Sequence, residues 1–205
     1  MYIVCCDLEG VLVPEVWINV ARWTGIDELK LTTRDIADYN ALMERRLEIL
    51  RQHGITINDI QKVISLLELM PGALDFINWL HQRAQLLVVS DTFREFADPL
   101  LEKMGWPFLF CHHLTIDGEG YISDFHLRQP EAKMHVVKAL QGLNYRVIAI
   151  GDSYNDITML RQAEVGVLFN PPRNVIDDNS DLLVVNSYLS LKRIVGDYLE
   201  KDKAG

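Results

Sequence analysis

The sequence predicts an α/β fold: a doubly wound, mainly parallel sheet with a small helical block inserted after the first strand. Three observations carry this. Short β-branched or leucine-rich runs recur along the chain, each nearly continuous in hydrophobicity, as strands buried on both faces of a parallel sheet must be. Amphipathic helical stripes separate them, and strands alternating with helices build parallel sheets. One long interval between the first two runs has helical periodicity and no strand.

The elements follow in chain order. The first strand is the apolar run Tyr2–Cys6, closed by Asp7. Next, Glu15–Met70 reads as helices over Val16–Trp23, Tyr39–Gln52 and Ile57–Leu67, with breaks at Gly25, Gly54 and the Pro71-Gly72 pair. This divides the chain into a core, residues 1–14 and 71–205, and a cap, residues 15–70, set over the strand ends. Ala73–Arg83 places Leu74, Ile77 and Leu80 on one helical stripe. Leu86–Val89 is a strand, with a helix starting at Phe93–Arg94. Leu114–Asp117 and Tyr121–Leu127 alternate around Gly118-Glu119-Gly120, the pattern of a hairpin. Glu131–Gln141 is a helix burying Met134, Val137 and Leu140. Val147–Ile150, Val165–Phe169 and Leu182–Val185 are strands; Tyr154–Ala163 and Leu189–Leu199 are helices. The tail Glu200–Gly205 is expected to fray.

Composition excludes several classes of function. The 205 residues are 49% hydrophobic and 24% charged, with a net charge of −9. An acidic chain without a basic patch lacks what nucleic acid or an anionic membrane surface requires. An anionic small molecule would need local positive charge from a metal, Lys, Arg or helix N-termini. Cys5 and Cys6 fall inside a strand and read as small buried residues, and the odd count of three with Cys111, without a spacing pattern, fits a reducing compartment. No run approaches the length of a membrane span, and the N-terminus has no leader pattern. The expectation is a cytoplasmic protein acting on a small molecule. Oligomeric state is left open, with a homodimer one option.

Ligands of open α/β sheets bind beyond the carboxyl ends of the strands, and those ends carry reactive groups here. The first gives Asp7 and Glu9, two carboxylates whose spacing on a strand would aim them to one side. Like charges so close call for a cation or a proton between them. The second gives Ser90-Asp91-Thr92, where a hydroxyl and successive N–H groups can cradle an anion; Ser90 as a plain helix cap reads equally well. Lys133, in a first helical turn, is against the helix dipole, so it is either incidental or there to neutralise a phosphate. Finally Gly151-Asp152-Ser153-Tyr154-Asn155-Asp156 puts Asp152 and Asp156 on one face at a helix start. These are either helix-capping acids or, with Asp7, a hard oxygen-rich pocket suited to Mg²⁺.

The order of motifs is more specific than any one of them. D-L-E-G-V near the N-terminus, S-D-T-F after a second strand, Lys133 downstream and then G-D-S-Y-N-D together resemble the haloacid dehalogenase superfamily of aspartate-nucleophile phosphotransferases. Arg45-Arg46-Leu47-Glu48-Ile49-Leu50 and Pro71-Gly72-Ala73 narrow the resemblance to the phosphoserine phosphatase branch. Within that branch the motifs are most similar to those of bacterial bifunctional phosphoserine phosphatases/homoserine phosphotransferases. The resemblance covers essentially the whole chain and implies a HAD-like core with a helical cap.

It also implies roles. Asp7 would be the nucleophile that becomes an aspartyl-phosphate, and Glu9 the general acid and base. Mg²⁺ would be held by Asp7, the backbone carbonyl of Glu9 and Asp152, with Asp156 nearby. Ser90, the Asp91 N–H and Lys133 would hold the phosphoryl group, and Asn155 and Asp156 would position phosphate and metal-bound water. In the cap, Glu15 would take the substrate ammonium and Arg46 its carboxylate, with Arg45 the competing choice. Two residues depart from the wider superfamily: Glu9 replaces its usual Asp, and Asp91 its usual Gly. The Asp91 side chain is expected to face away from the anion. The histidines, His112 and His113 included, are expected at surface or hairpin positions without a catalytic role. The alternatives are a phosphatase of another small phosphomonoester and, from a different class, a phosphoaspartate receiver module or a non-catalytic binding protein. A receiver would carry its phosphorylated Asp on a later strand and no helical lid after the first.

Overall fold

The structure, a computed structural model, describes residues 1–32, 35–36 and 38–203. Seven strands form one sheet in the order β4-β3-β2-β1-β5-β6-β7: β1 Tyr2–Cys6, β2 Gln85–Phe93, β3 Phe108–Ile116, β4 Ile122–His126, β5 Arg146–Gly151, β6 Val165–Phe169 and β7 Leu183–Val185. All neighbours are parallel except β3 and β4, the hairpin arm at one edge. The helices are α1 Val16–Thr24, α2 Tyr39–Gln52, α3 Ile57–Ser65, α4 Ala73–His81, α5 Arg94–Lys103, α6 Ala132–Gly142, α7 Ile157–Gln162, α8 Arg173–Asp178 and α9 Tyr188–Lys203. The α/β class and parallel sheet are those the sequence predicts.

Period-2 alternation sorts the strand residues into two layers. Val4, Cys6, Val88, Ile148, Ile150 and Val167 pack with α4, α5 and α9 on one face. Cys5, Val89, Val147, Ala149 and Leu168 pack with α6 and α7 on the other. All three cysteines are buried free thiols. Phe76 of α4 anchors the first layer, fully buried and stacked on Tyr188 of α9 at 5.7 Å and Trp79 at 6.1 Å between ring centres.

The strand order matters for chemistry. The chain winds from β1 through β2 to β3 in one direction, then restarts at β5 on the other side of β1. The switch point therefore lies where the carboxyl ends of β1, β2 and β5 are neighbours. Cys6 is in register with Val88 on one side and Ile150 on the other. Beyond β1 the chain makes a tight turn, with Leu12 and Val13 N–H donating to the Leu8 carbonyl, before entering α1. It comes back where it left: Met70 N–H donates to the Leu12 carbonyl at 2.9 Å. Between these points lie α1, α2, α3 and a 3₁₀ turn at Asp27–Lys30, with no strand among the described residues.

Several elements differ from the reading of the sequence. In α4 the buried stripe is Ala73, Phe76, Ile77 and Leu80, and Leu74, one position round the helix, is exposed. β3 begins at Phe108, because its first half pairs parallel with β2 before its second half forms the hairpin. Tyr154–Ala163 splits into a 3₁₀ turn, Tyr154–Asp156, and α7, because Ser153 and Asp156 close a capping box between them. The short α8 follows Pro171-Pro172, a helix-start signal the hydrophobic pattern hides. The last helix holds Glu200–Lys203 in regular conformation rather than frayed, while Ala204 and Gly205 lie outside the described residues.

Phe76→Ala should leave a cavity between α4 and α9 and cost about 3–5 kcal/mol. Urea unfolding should show a lower midpoint at an unchanged slope; an unshifted midpoint would contradict this packing.

Candidate active site

The site forms at the switch point, from the ends of β1, β2 and β5 and the first turn of α6. Asp7 is the first residue past β1, and its N–H continues the ladder to the Ile150 carbonyl at 2.9 Å. Its carboxylate is buried; Oδ1 accepts from Leu8 N–H at 2.7 Å, and Oδ2 lies 2.9 Å from Lys133 Nζ. Lys133 is buried too, reaching in from α6, and also donates to Asp156 Oδ1 at 2.9 Å. The other oxygen of Asp156 accepts from the N–H groups of Asp152 and Ser153, at 2.9 and 3.1 Å. Asp156, with no exposed surface, thus fixes the loop after β5 and the ammonium at once.

Two glycines let these parts approach. A Cβ on Gly151 would collide with the Asp156 carboxylate, and one on Gly10 with that of Asp152. Gly10 also has φ +77°, the left-handed region that disfavours other residues.

One oxygen from each of Asp7, Asp152 and Asp156 lies within 4.8 Å of the others. This is a hard, all-oxygen donor set of the kind Mg²⁺ takes, and the residues fit such an ion. The Glu9 carboxylate is not part of that set. β1 stops at Cys6, so the turn after Asp7, and not strand alternation, directs Glu9; its Oε2 accepts from Val16 N–H at 2.8 Å, at the start of α1. Burial pushes Glu9 up to about 7, helped by Glu15. Asp152 is likewise pushed up to about 7 by burial, Asp156 and Glu15. Burial and Asp156 raise Asp7 well above the usual carboxylate range against the pull of Lys133.

Towards the end of β2, the Ser90 hydroxyl is not a helix cap: it accepts from Thr92 N–H at 3.3 Å, while α5 starts at Arg94 with Phe93 in the N-cap position and no side-chain cap. Asp91 does not face away. Its Oδ2 accepts from Asn155 Nδ2 at 2.9 Å and lies 3.5 Å from Lys133 Nζ, because the site's donors stand on that side. Burial opposes its ionisation, but Lys133, His112 and Asn155 outweigh it and hold the group well below the usual range. His112 is not a surface residue either: β3 continues inward past the hairpin, so its ring is buried, 3.6 Å from Asp91. His113 is exposed and stacks on His126 at 4.6 Å.

The cleft above these groups encloses about 690 Å³, and Glu15, Trp17, Tyr39 and Arg46 line its far side. Arg46 is buried, its guanidinium 4.4 Å over the Trp17 ring, with Nη2 donating to the Leu31 carbonyl at 2.7 Å. Among the described residues its Nε has no hydrogen-bond partner. Burial brings it down to about 10, while Tyr39, Glu9 and Glu15 act the other way. Arg45 instead lies at the surface, paired with Glu28 and Glu48 at 3.2 and 3.3 Å. Glu15 is exposed at the rim. Sequence reasoning gave no site role to Trp17 or Tyr39, and placed His112 at a surface or hairpin position. Tyr39 donates from α2 to the Asp91 carbonyl at 3.4 Å, a pairing 52 residues apart that no local pattern announces.

Residues 3–164 match the family model described as haloacid dehalogenase-like hydrolase. The chain belongs to this family. It is 51% identical over 193 residues to a Pseudomonas aeruginosa protein named phosphoserine phosphatase ThrH, covering 94% of both chains. It is 49% identical over 191 residues to a phosphoserine phosphatase of Pseudomonas syringae pv. tomato, covering 93% of this chain and 81% of that one. Among solved structures, a substrate-bound phosphoserine phosphatase complex superposes with a TM-score of 0.78 at 20% identity, over 94% of this chain and 97% of the other. A phospho-aspartyl intermediate analogue of phosphoserine phosphatase gives 0.77, with the same identity and coverage. At that identity the likeness establishes the fold. Membership in a hydrolase family, and an Asp directly after the first strand followed by a helical block, set aside the receiver-module reading.

The raised carboxylates predict a pH dependence of stability without metal. Glu9 and Asp152 bind protons more tightly folded than unfolded, so their contribution is complete below the unfolded values near 4.5 and 3.8 and is lost as pH rises through about 7. Urea midpoints in chelator should therefore fall between pH 5 and 8, and a divalent cation should reduce the fall. A midpoint flat or rising over this range would contradict these environments.

Proposed function

We propose that the chain is a Mg²⁺-dependent phosphatase of L-phosphoserine that works through an aspartyl-phosphate on Asp7 and also passes the phosphoryl group to homoserine. The observation that carries this is the buried Asp7 carboxylate, clamped by Lys133 at the floor of a cleft between the strand ends and the helical block. The phosphoserine phosphatases 49–51% identical over nearly the whole chain support the substrate. On this reading residues 1–14 and 71–205 form the core, residues 15–70 form the cap, and the enzyme is cytosolic. Among the described residues no helix is long and apolar enough to cross a membrane, which is consistent with that location.

Asp7, Asp152 and the Glu9 carbonyl would hold Mg²⁺, with Asp156 beside them. The ion would offset the negative charge of the phosphoryl oxygens. An Asp7 oxygen attacks phosphorus in line as the bond to the seryl oxygen breaks, and Glu9 gives that oxygen its proton. Water, or the homoserine hydroxyl, then loses a proton to Glu9 and attacks the aspartyl-phosphate, freeing Asp7. A group poised at about 7 suits both directions of transfer. The Ser90 hydroxyl, the Asp91 N–H, Lys133 and Asn155 hold the phosphoryl oxygens, so much of the catalysis is positioning and charge stabilisation. At the far side Arg46 would take the substrate carboxylate with its planar fork, and Glu15 the ammonium. The unpartnered Nε of Arg46 and the surface pairing of Arg45 favour Arg46 for this role.

The deciding assay is phosphate release from a panel of phosphomonoesters with Mg²⁺, repeated with homoserine and with phosphohomoserine measured directly. Phosphoserine should be preferred and homoserine should divert the phosphoryl group; preference for another ester rejects the substrate, and absence of phosphohomoserine rejects the transfer. Asp7→Asn should abolish turnover by removing the nucleophile, and retained activity would end the mechanism. Arg46→Ala should raise KM for phosphoserine by roughly tenfold to a hundredfold, the worth of a charged hydrogen bond. KM for an ester without a carboxylate should hardly move, and equal effects on both would reject the assignment.

A further inference from the structure

The mechanism gives no part to His112, yet its buried ring stands in the wall of the cleft. The two ring nitrogens are unequal. Nδ1 accepts from the Arg128 backbone N–H at 3.2 Å, so the ring proton sits on Nε2. Nε2 lies 3.6 Å from Asp91 Oδ1. The second oxygen, Asp91 Oδ2, takes Asn155 Nδ2 at 2.9 Å and faces the Lys133 ammonium at 3.5 Å. Polar contacts thus run from the Arg128 backbone through His112 and Asp91 to two groups at the phosphoryl end. The ring is itself held in place: His112 is in register with Phe93 of β2, and the two rings lie 6.2 Å apart.

We infer that His112 is a positioning residue: it holds the Asp91 carboxylate so that Asp91 keeps Asn155 and Lys133 aligned on the incoming phosphoryl group. This rests on the phosphotransfer reading and extends it. Without the Nε2–H, Oδ1 faces the cleft wall undonated, and the carboxylate is free to turn its full charge toward Lys133. The ammonium would then be drawn off the phosphoryl oxygens it must meet. The 3.6 Å separation is longer than a hydrogen bond, and such contacts tighten when a site is loaded. A bland role competes with this one, in which His112 merely pins the segment before α6 through Arg128. The two differ in one respect: the bland role has no need of Asp91.

The experiment measures inorganic phosphate binding by calorimetry with Mg²⁺ present, so it does not depend on which ester is the substrate. His112→Phe should weaken binding roughly tenfold. His112→Gln, whose amide N–H can stand in for Nε2–H, should recover most of the loss. In an Asp91→Ala background the His112→Phe change should be less than about twofold, since nothing remains to position. A two-bond ¹H–¹⁵N spectrum of the wild type should place the ring proton on Nε2. If Phe prevents folding, His112→Asn, which keeps an amide near Nδ1 but lacks the outer donor, replaces it. Equal losses with and without Asp91, or a proton on Nδ1, overturn the inference. Wild type that binds phosphate while the His112 variants bind it equally well also sinks this inference alone; wild type that binds none removes the phosphotransfer reading as well.

Discussion

One buried ammonium organises this molecule's chemistry. Lys133 is removed from water, which by itself would push its proton off, but Asp156, Asp7 and Asp91 outweigh that burial and hold its proton far more tightly than usual. A buried charge is tolerated only with such partners, and a buried pair adds little net stability because both ions lose their hydration. The gain is in placement. Lys133 reaches Asp7 from α6, Asp156 reaches Lys133 from the loop after β5, and the N–H groups of Asp152 and Ser153 fix Asp156 in turn. Removing any one carboxylate or the ammonium leaves the others unbalanced, so the site is specified as a unit.

The fold makes that unit available because β1 lies between β2 and β5. Parallel neighbours in register deliver Asp7, Ser90 and Asp152 side by side at the carboxyl edge, and glycines at 10 and 151 remove the side chains that would keep the loops apart. The helical segment then sets the dielectric. It leaves after Leu12, returns hydrogen-bonded to Leu12 at Met70, and brings α1 over Glu9 and Tyr39 onto the Asp91 carbonyl. Burial beneath this cover raises Glu9 to about 7, the range that the acid–base role proposed for it requires.

Much of this was legible in the sequence, for identifiable reasons. Continuous apolar runs and 3.6-residue stripes are local, so β1, β5, β6 and α2 were read nearly to the residue. The polar punctuation after each run marked Asp7, Ser90 and Asp152, because a strand end is where local pattern and active-site position coincide. What failed was non-local. Asp91 was expected to turn away because a carboxylate near an anion looks unfavourable, yet the donors that make its position favourable come from β3, α6 and the loop after β5. His112 read as hairpin because its hydrophobic neighbours, Phe108 and Phe110, belong to a strand whose partner lies some twenty residues earlier in the chain. Arg45 and Arg46 are adjacent and chemically identical; only the surface carboxylates that pair with Arg45 and the Trp17 ring beneath Arg46 tell them apart.

The charge balance of the cleft explains why a strongly acidic site suits a phosphate ester. Asp7, Glu9, Glu15, Asp91, Glu131 and Asp152 line it, with Asp156 buried beside them, against Lys30, Arg46 and Lys133. Left alone, that excess would repel a phosphate dianion. Protonation gives partial relief, since Glu9 and Asp152 are poised near 7 and Asp7 lies well above the usual range, whereas Asp91 stays ionised. A divalent cation held by Asp7, Asp152 and Asp156 would relieve the rest, because it would favour their ionised forms and present positive charge to the incoming oxygens. The same carboxylates that repel the substrate in the bare protein would become the means of attracting it through the ion. On the proposed function, dependence on a divalent metal would therefore be a consequence of how many acids the fold collects, and not an accessory to it.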